Sequence, residues 1–276
     1  MNLALITNNR DLALQAELLG IDRIIIDLEI LGKQDRQTGK NLFLSDHTLS
    51  DIFKIKSVLR SIPVMVRVNP WHNGSPDEIQ QVISEGADMI MLPYFTAPVQ
   101  AEQFLACVNN RVKTSLLVET REAITTIDTL LCYPMDEIYI GLNDLAISMQ
   151  RTKIFEVTYE GFFDQVCAKL KKSGIPFGWG GLARLSSTHL PIDPECILAQ
   201  QIYHGATVAW LGRTFRDGLD NHFSEMEREI IQLRNAIDKW KKATLQDFIE
   251  NRNKLMQQVN AWNKPVELNH SGKGIN

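Results

Sequence analysis

Eight short runs of apolar and β-branched residues, roughly 20 to 40 residues apart, constrain the fold of this chain more than any other feature. They are LALIT (3–7), RIIIDL (23–28), VMVRV (64–68), DMIML (88–92), SLLVE (115–119), EIYIG (137–141), IPFGW (175–179) and TVAWL (207–211). Segments with helical periodicity lie between them, such as DLALQAELLG after the first run and DEIQQVISEGA after the third. A strand that is apolar almost throughout is buried on both faces, as in a parallel sheet covered by helices. Eight such units are the number that closes a (β/α)8 TIM barrel, so the expected fold class is α/β, a TIM barrel with additional C-terminal helices. A doubly wound open sheet is the competitor, but the first strand lacks the glycine fingerprint that usually follows there. Helix starts support the reading: Ser75 is placed as an N-cap before Pro76, Asp77 and Glu78, and Asp193-Pro194-Glu195 repeats the pattern.

The expected organisation is a barrel over residues 1–219, a helical extension over 220–264 and a flexible tail over 265–276. In the extension, Phe223, Met226, Ile230, Leu233, Ile237 and Trp240 form one apolar stripe, and Leu245, Phe248, Leu255, Val259 and Trp262 a second. Such stripes pack either on their own barrel or on a partner, and a homo-oligomer built through the C-terminal helices is expected. With 276 residues and 44% hydrophobic content, the chain can bury a full core. A formal charge of −4 without a long basic run argues against nucleic acid or an anionic membrane as partner. The N-terminus lacks a signal-peptide pattern and no apolar run is long enough to span a bilayer, so a cytoplasmic location is expected. The four cysteines, Cys107, Cys132, Cys167 and Cys196, have no CxxC spacing and should be reduced, mostly helix-buried thiols.

In a parallel barrel the active site lies at the C-terminal mouth, so polar residues at strand ends carry the information. Strand two ends in Asp27-Leu28-Glu29, strand three contains Arg67 and ends in Asn69, strand five ends in Glu119, and Gly141-Leu142-Asn143-Asp144 follows strand six. Several carboxylates facing one cavity need a cation. Arg67 supplies one, and Glu119 with Asp144 forms an oxygen pair of the kind Mg2+ takes, with water and substrate oxygens completing the shell. Such an ion polarises a keto group, and an arginine donates to the same oxygen. Two blander alternatives stay open at this point: Glu119 pairing with Arg121, and Asp144 capping a helix that begins at Leu145.

At these residues the sequence resembles the HpcH/HpaI aldolase and citrate lyase β-subunit superfamily of phosphoenolpyruvate/pyruvate-binding barrels. The matching pieces are IDLE (26–29), VRVNP (66–70), GADMIMLPYF (86–95), LLVETREA (116–123) and IYIGLNDLAISM (138–149), in the family's order over residues 1 to about 215. The resemblance implies Mg2+ or Mn2+ held by Glu119 and Asp144 and chelated by a pyruvate-like 2-keto acid. Arg67 would hold the keto or enolate oxygen, and the backbone of Gly141, Leu142, Asn143 and Asp144 would receive the substrate carboxylate. It further implies a carbon–carbon lyase or class II aldolase that joins the enolate of a 2-keto acid to an aldehyde or releases it. The alternatives are an acyl-CoA lyase or thioesterase, a phosphoenolpyruvate-type enzyme, and a catalytically silent binding subunit.

The sequence departs from the family at two places. Family aldolases carry His directly after the strand-two acid, and lyases often Asp, where this chain has Ile30; Leu117 stands where aldolases tend to have Gln. The loss at position 30 removes the usual general base. His47 is the candidate replacement and Glu29 the residue expected to orient Arg67 or a bound water. In the loop after strand two, Lys33, Asp35, Arg36 and Lys40 are either a solvated charged surface or a recognition site. For recognition of a phosphate or carboxylate on the second substrate, Arg36 is the best bidentate candidate. Gly178-Trp179-Gly180-Gly181 after strand seven is either a turn or a substrate wall, with Trp179 as its side chain.

Overall fold

The computed structural model describes residues 1–33, 45–219 and 222–262. All eight apolar runs form strands, joined in one parallel sheet. In chain order the elements begin β1 (Asn2–Ile6), α1 (Arg10–Leu18), β2 (Arg23–Asp27), α2 (Leu49–Lys56), β3 (Val64–Arg67), α3 (Ser75–Ser84), β4 (Met89–Leu92) and α4 (Pro98–Val108). They continue with β5 (Lys113–Val118), α5 (Arg121–Thr125), α6 (Ile127–Leu130), β6 (Glu137–Ile140), α7 (Leu142–Ser148), a 3-10 helix (Ile154–Tyr159) and α8 (Gly161–Ser173). The rest are β7 (Phe177–Trp179), β8 (Gly181–Leu182), α9 (Pro194–His204), β9 (Val208–Leu211), α10 (Arg213–Arg216), α11 (Phe223–Trp240) and α12 (Leu245–Ala261).

Strand order is β7-β6-β5-β4-β3-β2-β1-β9-β8, with every pairing parallel. The ninth strand is an addition just past the seventh apolar run: at Gly180 the backbone turns to φ +64°, so β7 pairs with β6 while β8 pairs with β9. The barrel closes between β7 and β9, where the Thr207 N–H donates to the Phe177 carbonyl at 2.8 Å. Glycine is required at this seam. A Cβ on Gly178 would lie 2.1 Å from the Val208 carbonyl oxygen and 2.5 Å from the Tyr139 ring.

Side chains alternate across the sheet and divide the core in two. The larger part lies between strands and helices, with Leu3, Ile24, Ile26, Val66, Ile90, Leu116, Val118 and Ile138 facing out. The smaller part fills the barrel with Ala4, Ile25, Met65, Met89, Met91, Leu117, Tyr139, Val208 and Trp210. The same alternation puts Arg23 and Asp27 on the inside with Ile25, and Ser115 and Glu119 on the inside with Leu117. At the N-terminal end of the barrel, Arg23 donates to both oxygens of Glu137 at 2.9 and 2.7 Å, and the Ser115 hydroxyl adds a bond at 3.2 Å.

Helix boundaries follow the sequence signals with small shifts. Asp193 caps α9 by accepting from the Glu195 N–H at 2.9 Å. At α3 the cap is Gly74, with Ser75 already helical, because the Ser75 hydroxyl is used by the His72 N–H instead. The Phe223–Trp240 stripe packs inward within the chain: Met226, Ile230, Leu233, Ile237 and Trp240 are buried in the outer core. On α12, Leu255 and Val259 are buried, whereas Leu245 is 63% and Ile249 45% exposed. Among the described residues no helix is long and apolar enough to cross a membrane. The cysteines there are free thiols, with Cys167 and Cys196 buried in helices and Cys132 exposed.

Candidate active site

The C-terminal mouth holds a cavity of about 550 Å3. Its polar end is lined by Asp27, Lys33, Arg67, Glu119, Asp144, Arg213 and Arg216, and by Gly141, Leu142 and Asn143. Six of the sequence-predicted site residues, Arg67, Glu119, Gly141, Leu142, Asn143 and Asp144, therefore converge on one space. Arg36, with Asp35 and Lys40, lies outside the described residues.

Arg67 is fixed from three sides. Its Nε and Nη2 donate to the two oxygens of Asp27 at 2.8 and 2.6 Å, its Nη1 lies 3.4 Å from Glu29 Oε2, and its guanidinium carbon sits 5.8 Å from the Trp210 ring centre. Trp210 stacks on Tyr139 with ring centres 4.5 Å apart. Tyr139 in turn donates to the Gly180 carbonyl at 2.6 Å and accepts the Trp210 N–H at 2.9 Å, so the aromatic pair is locked. Burial alone would raise the Asp27 carboxyl, but the Arg67 charge and its hydrogen bonds, with Lys33, hold it well below the usual carboxylate range. For Arg67, burial works against the charge and is outweighed by Asp27 and Glu29. Asp27 is thus a permanent anion that positions Arg67.

Glu29 is 2% exposed, with its carboxylate 3.3 Å from Lys33 Nζ and 3.4 Å from Arg67 Nη1. Lys33 also lies 3.3 Å from Asp27 Oδ2. The turn that returns Lys33 to the mouth is held by Asn69, whose Oδ1 accepts the N–H groups of Ile30 and Leu31, both at 2.9 Å. Ile30 itself points outward at 55% exposure.

Glu119 points into the barrel at 3% exposure and accepts the Tyr94 N–H at 3.0 Å. Tyr94 delivers that N–H from a left-handed backbone, φ +42°, which is a strained conformation for a bulky residue. A Cβ at position 141 would lie 2.5 Å from Glu119 Oε2, so glycine there lets the carboxylate reach the mouth. Arg121 begins α5 on the exposed outer side, which removes the local-pair alternative for Glu119. Asp144 sits in the first turn of α7, whose cap is Gly141, so the helix starts three residues earlier than a cap at Asp144 requires.

Two expected side chains lie elsewhere. Trp179 is fully buried on the outer face of β7, edge-on to Phe163 and His204, because Gly178 takes the inward position of that strand. The mouth is formed instead by Gly180 and Gly181. His47 does not line the cavity: its Nδ1 accepts the Asp27 N–H at 2.9 Å. Burial lowers its pKa, against the opposing pull of Asp27, Asp46 and Asp51, so the imidazole is a neutral acceptor at the end of β2.

The donor set at the mouth suits a hard divalent cation. Among the described residues the lining contains no thiol and no imidazole, and no group of three or more His, Cys, Asp or Glu is arranged to hold a metal. Glu119 and Asp144 are carboxylate oxygen donors of the kind such a cation takes, and water and substrate oxygens would have to complete its shell.

No curated protein sequence matches the chain. Among solved structures it is similar to the crystal structure of RipC from Yersinia pestis, with a TM-score of 0.57 at 14% identity, covering 90% of this chain and 97% of that one. This likeness is one of fold. The family model described as HpcH/HpaI aldolase/citrate lyase matches residues 3–175, well over half the chain. The chain belongs to the HpcH/HpaI aldolase/citrate lyase family, a family of lyases whose members generally depend on a divalent metal.

Proposed function

We propose that the protein is a metal-dependent carbon–carbon lyase that forms the enolate of pyruvate or a related 2-keto acid and adds it to, or releases it from, an aldehyde. The observation that carries this reading is the convergence of Arg67, Glu119 and Asp144 on one cavity, with Arg67 held in place by Asp27 and Glu29. Glu119 and Asp144 would hold Mg2+ or Mn2+, which when bound polarises the keto group and lowers the cost of negative charge on its oxygen. Arg67 donates to that same oxygen as charge develops, and its fixed geometry means little reorganisation is needed. The first-turn N–H groups of α7, which a helix leaves without internal partners, receive the substrate carboxylate. In the addition direction a proton leaves the carbon beside the ketone, the electron pair forms the bond to the aldehyde carbon, and the aldehyde oxygen takes up a proton.

The test is Mg2+-dependent deuterium exchange at the pyruvate methyl. Exchange is expected in the native chain and should fall about a hundredfold or more in Glu119→Gln, the scale of losing a main electrostatic contribution. Undiminished exchange in that variant would overturn the metal assignment. A second reading, a binding subunit without turnover, is favoured by one observation: Ile30 is solvent-facing while His47 is committed to backbone. Pyruvate binding with no exchange would decide for it.

The proposal includes a homo-oligomer. Because the α11 stripe is buried within the chain, with Ile231 the large apolar side chain that helix leaves exposed, the interface is assigned to the outer face of α12, where Leu245 and Ile249 are both exposed. Light scattering on the double variant Leu245→Asp, Ile249→Asp should report a smaller species; an unchanged mass would remove α12 as the interface.

A further inference from the structure

The cavity is two-sided. Beyond the charged end it extends into a wing walled by Ile154 and Phe155 of the 3-10 helix, Leu190 and Ile192 of the loop before α9, Ile197 of α9, and Trp262 just after α12. None of these six side chains ionises. The wing is built from four separate segments. Ile192 and Ile197 are only 5% and 3% exposed, so they are fixed walls and not a surface patch. The total volume, about 550 Å3, lies in the range that encloses an organic ligand far larger than a three-carbon keto acid. Something apolar must therefore fill the remainder if the site is to exclude water.

We infer that the wing receives the apolar body of the second substrate, an aldehyde bearing an aromatic ring or a branched aliphatic group. This rests on the proposed enolate chemistry for what happens at the carbonyl, and on the wing alone for what lies behind it. Inside the wing a phosphorylated or polyhydroxylated body would lose its hydration against walls that carry no ionised side chain, the Lys33, Arg213 and Arg216 cations of the cavity standing at its charged end. The carbonyl carbon of an aldehyde seated this way faces the charged end, where Arg67 and the two carboxylates stand. Its ring or branched chain lies between Phe155, Ile197 and Trp262. The same geometry makes Phe155 and Trp262 specificity-determining residues: both are half-buried and line the cavity.

The experiment uses the full chain with pyruvate and Mg2+ and compares benzaldehyde with glycolaldehyde, reading adducts by mass and benzaldehyde binding by saturation-transfer NMR. Benzaldehyde is expected to win in kcat/KM by about tenfold or more, the scale of burying one ring. Within each variant, the benzaldehyde-to-glycolaldehyde ratio should collapse towards one in Phe155→Ser and in Trp262→Ala, and recover in Phe155→Leu. Because the ratio is taken inside one preparation, a change in folded fraction cancels. A ratio near one in the native chain, or one unmoved by either variant, overturns the inference while leaving pyruvate exchange, and so the proposed chemistry, intact. Absence of exchange together with benzaldehyde binding that weakens in Phe155→Ser overturns the chemistry and supports the wing. Absence of both exchange and binding overturns both.

Discussion

The two ends of the barrel use the same kind of chemistry for different ends. At the N-terminal end one arginine, Arg23, meets one glutamate, Glu137, through two hydrogen bonds of 2.9 and 2.7 Å, with Ser115 as a third partner and the Met65 and Met89 sulfurs against the guanidinium at 3.3 Å. Neither residue lines the cavity. At the C-terminal end Arg67 meets Asp27 just as closely, yet Glu29 and Lys33 join the cluster, and Asp27, Lys33 and Arg67 line a cavity together with Glu119 and Asp144. A matched and enclosed pair is a structural plug. A charged cluster that opens on a cavity is a candidate functional site, and on the proposed function it would receive a cation and a substrate.

The largest expected effects come from exchanging the two arginines' fates. Arg67→Lys keeps one charge but loses the planar fork that Asp27 grips, so pyruvate exchange should fall about a hundredfold, the scale of one lost oxyanion contact. Arg23→Met leaves Glu137 buried without its partner and should cost about 3–5 kcal/mol in urea unfolding. Exchange by the fraction that remains folded should be unchanged. If Arg23→Met instead slowed exchange while sparing stability, the two ends would not differ in role as the geometry says.

The strands were legible because a parallel barrel strand is buried on both faces and reads as an unbroken apolar run. Alternation then located Arg67 and Glu119 inside, since each is the one ionised residue in an otherwise apolar run. The same rule places Asp27 inside with Ile25 and Arg23, but two acids in IDLE compete for the role and only the Arg67 contacts decide it. Trp179 was misplaced because in FGW nothing but the seam with β9 tells which parity faces in. The interior stack of Tyr139 on Trp210 looks in sequence like ordinary strand aromatics. His47 reads as a loop base, and only tertiary folding shows its Nδ1 taking the Asp27 N–H. The apolar wing was beyond reach for the same reason, since its walls come from residues 154 to 262 and share no local pattern.

The smallest effects come from the third partner at each end, and they test the comparison most finely. Ser115→Ala removes one hydroxyl bond to Glu137 and leaves the Arg23 pair in place, so a loss of about 1 kcal/mol in stability is expected, with exchange unaffected. Lys33→Met removes a buried ammonium 3.3 Å from both Asp27 and Glu29 while keeping most of its apolar length. Its loss takes one cation from both carboxylates and draws the Arg67 guanidinium towards Glu29, away from where a keto oxygen would bind. A rise in the KM for pyruvate of about tenfold is expected, equivalent to 1.4 kcal/mol of binding. Stability should fall by about 1–3 kcal/mol, because two buried acceptors lose a donor. A Lys33→Met enzyme with native KM and only the stability loss would make Lys33 a plug like Ser115, and would move the boundary between structural and functional ion clusters from the middle of the barrel into the mouth itself.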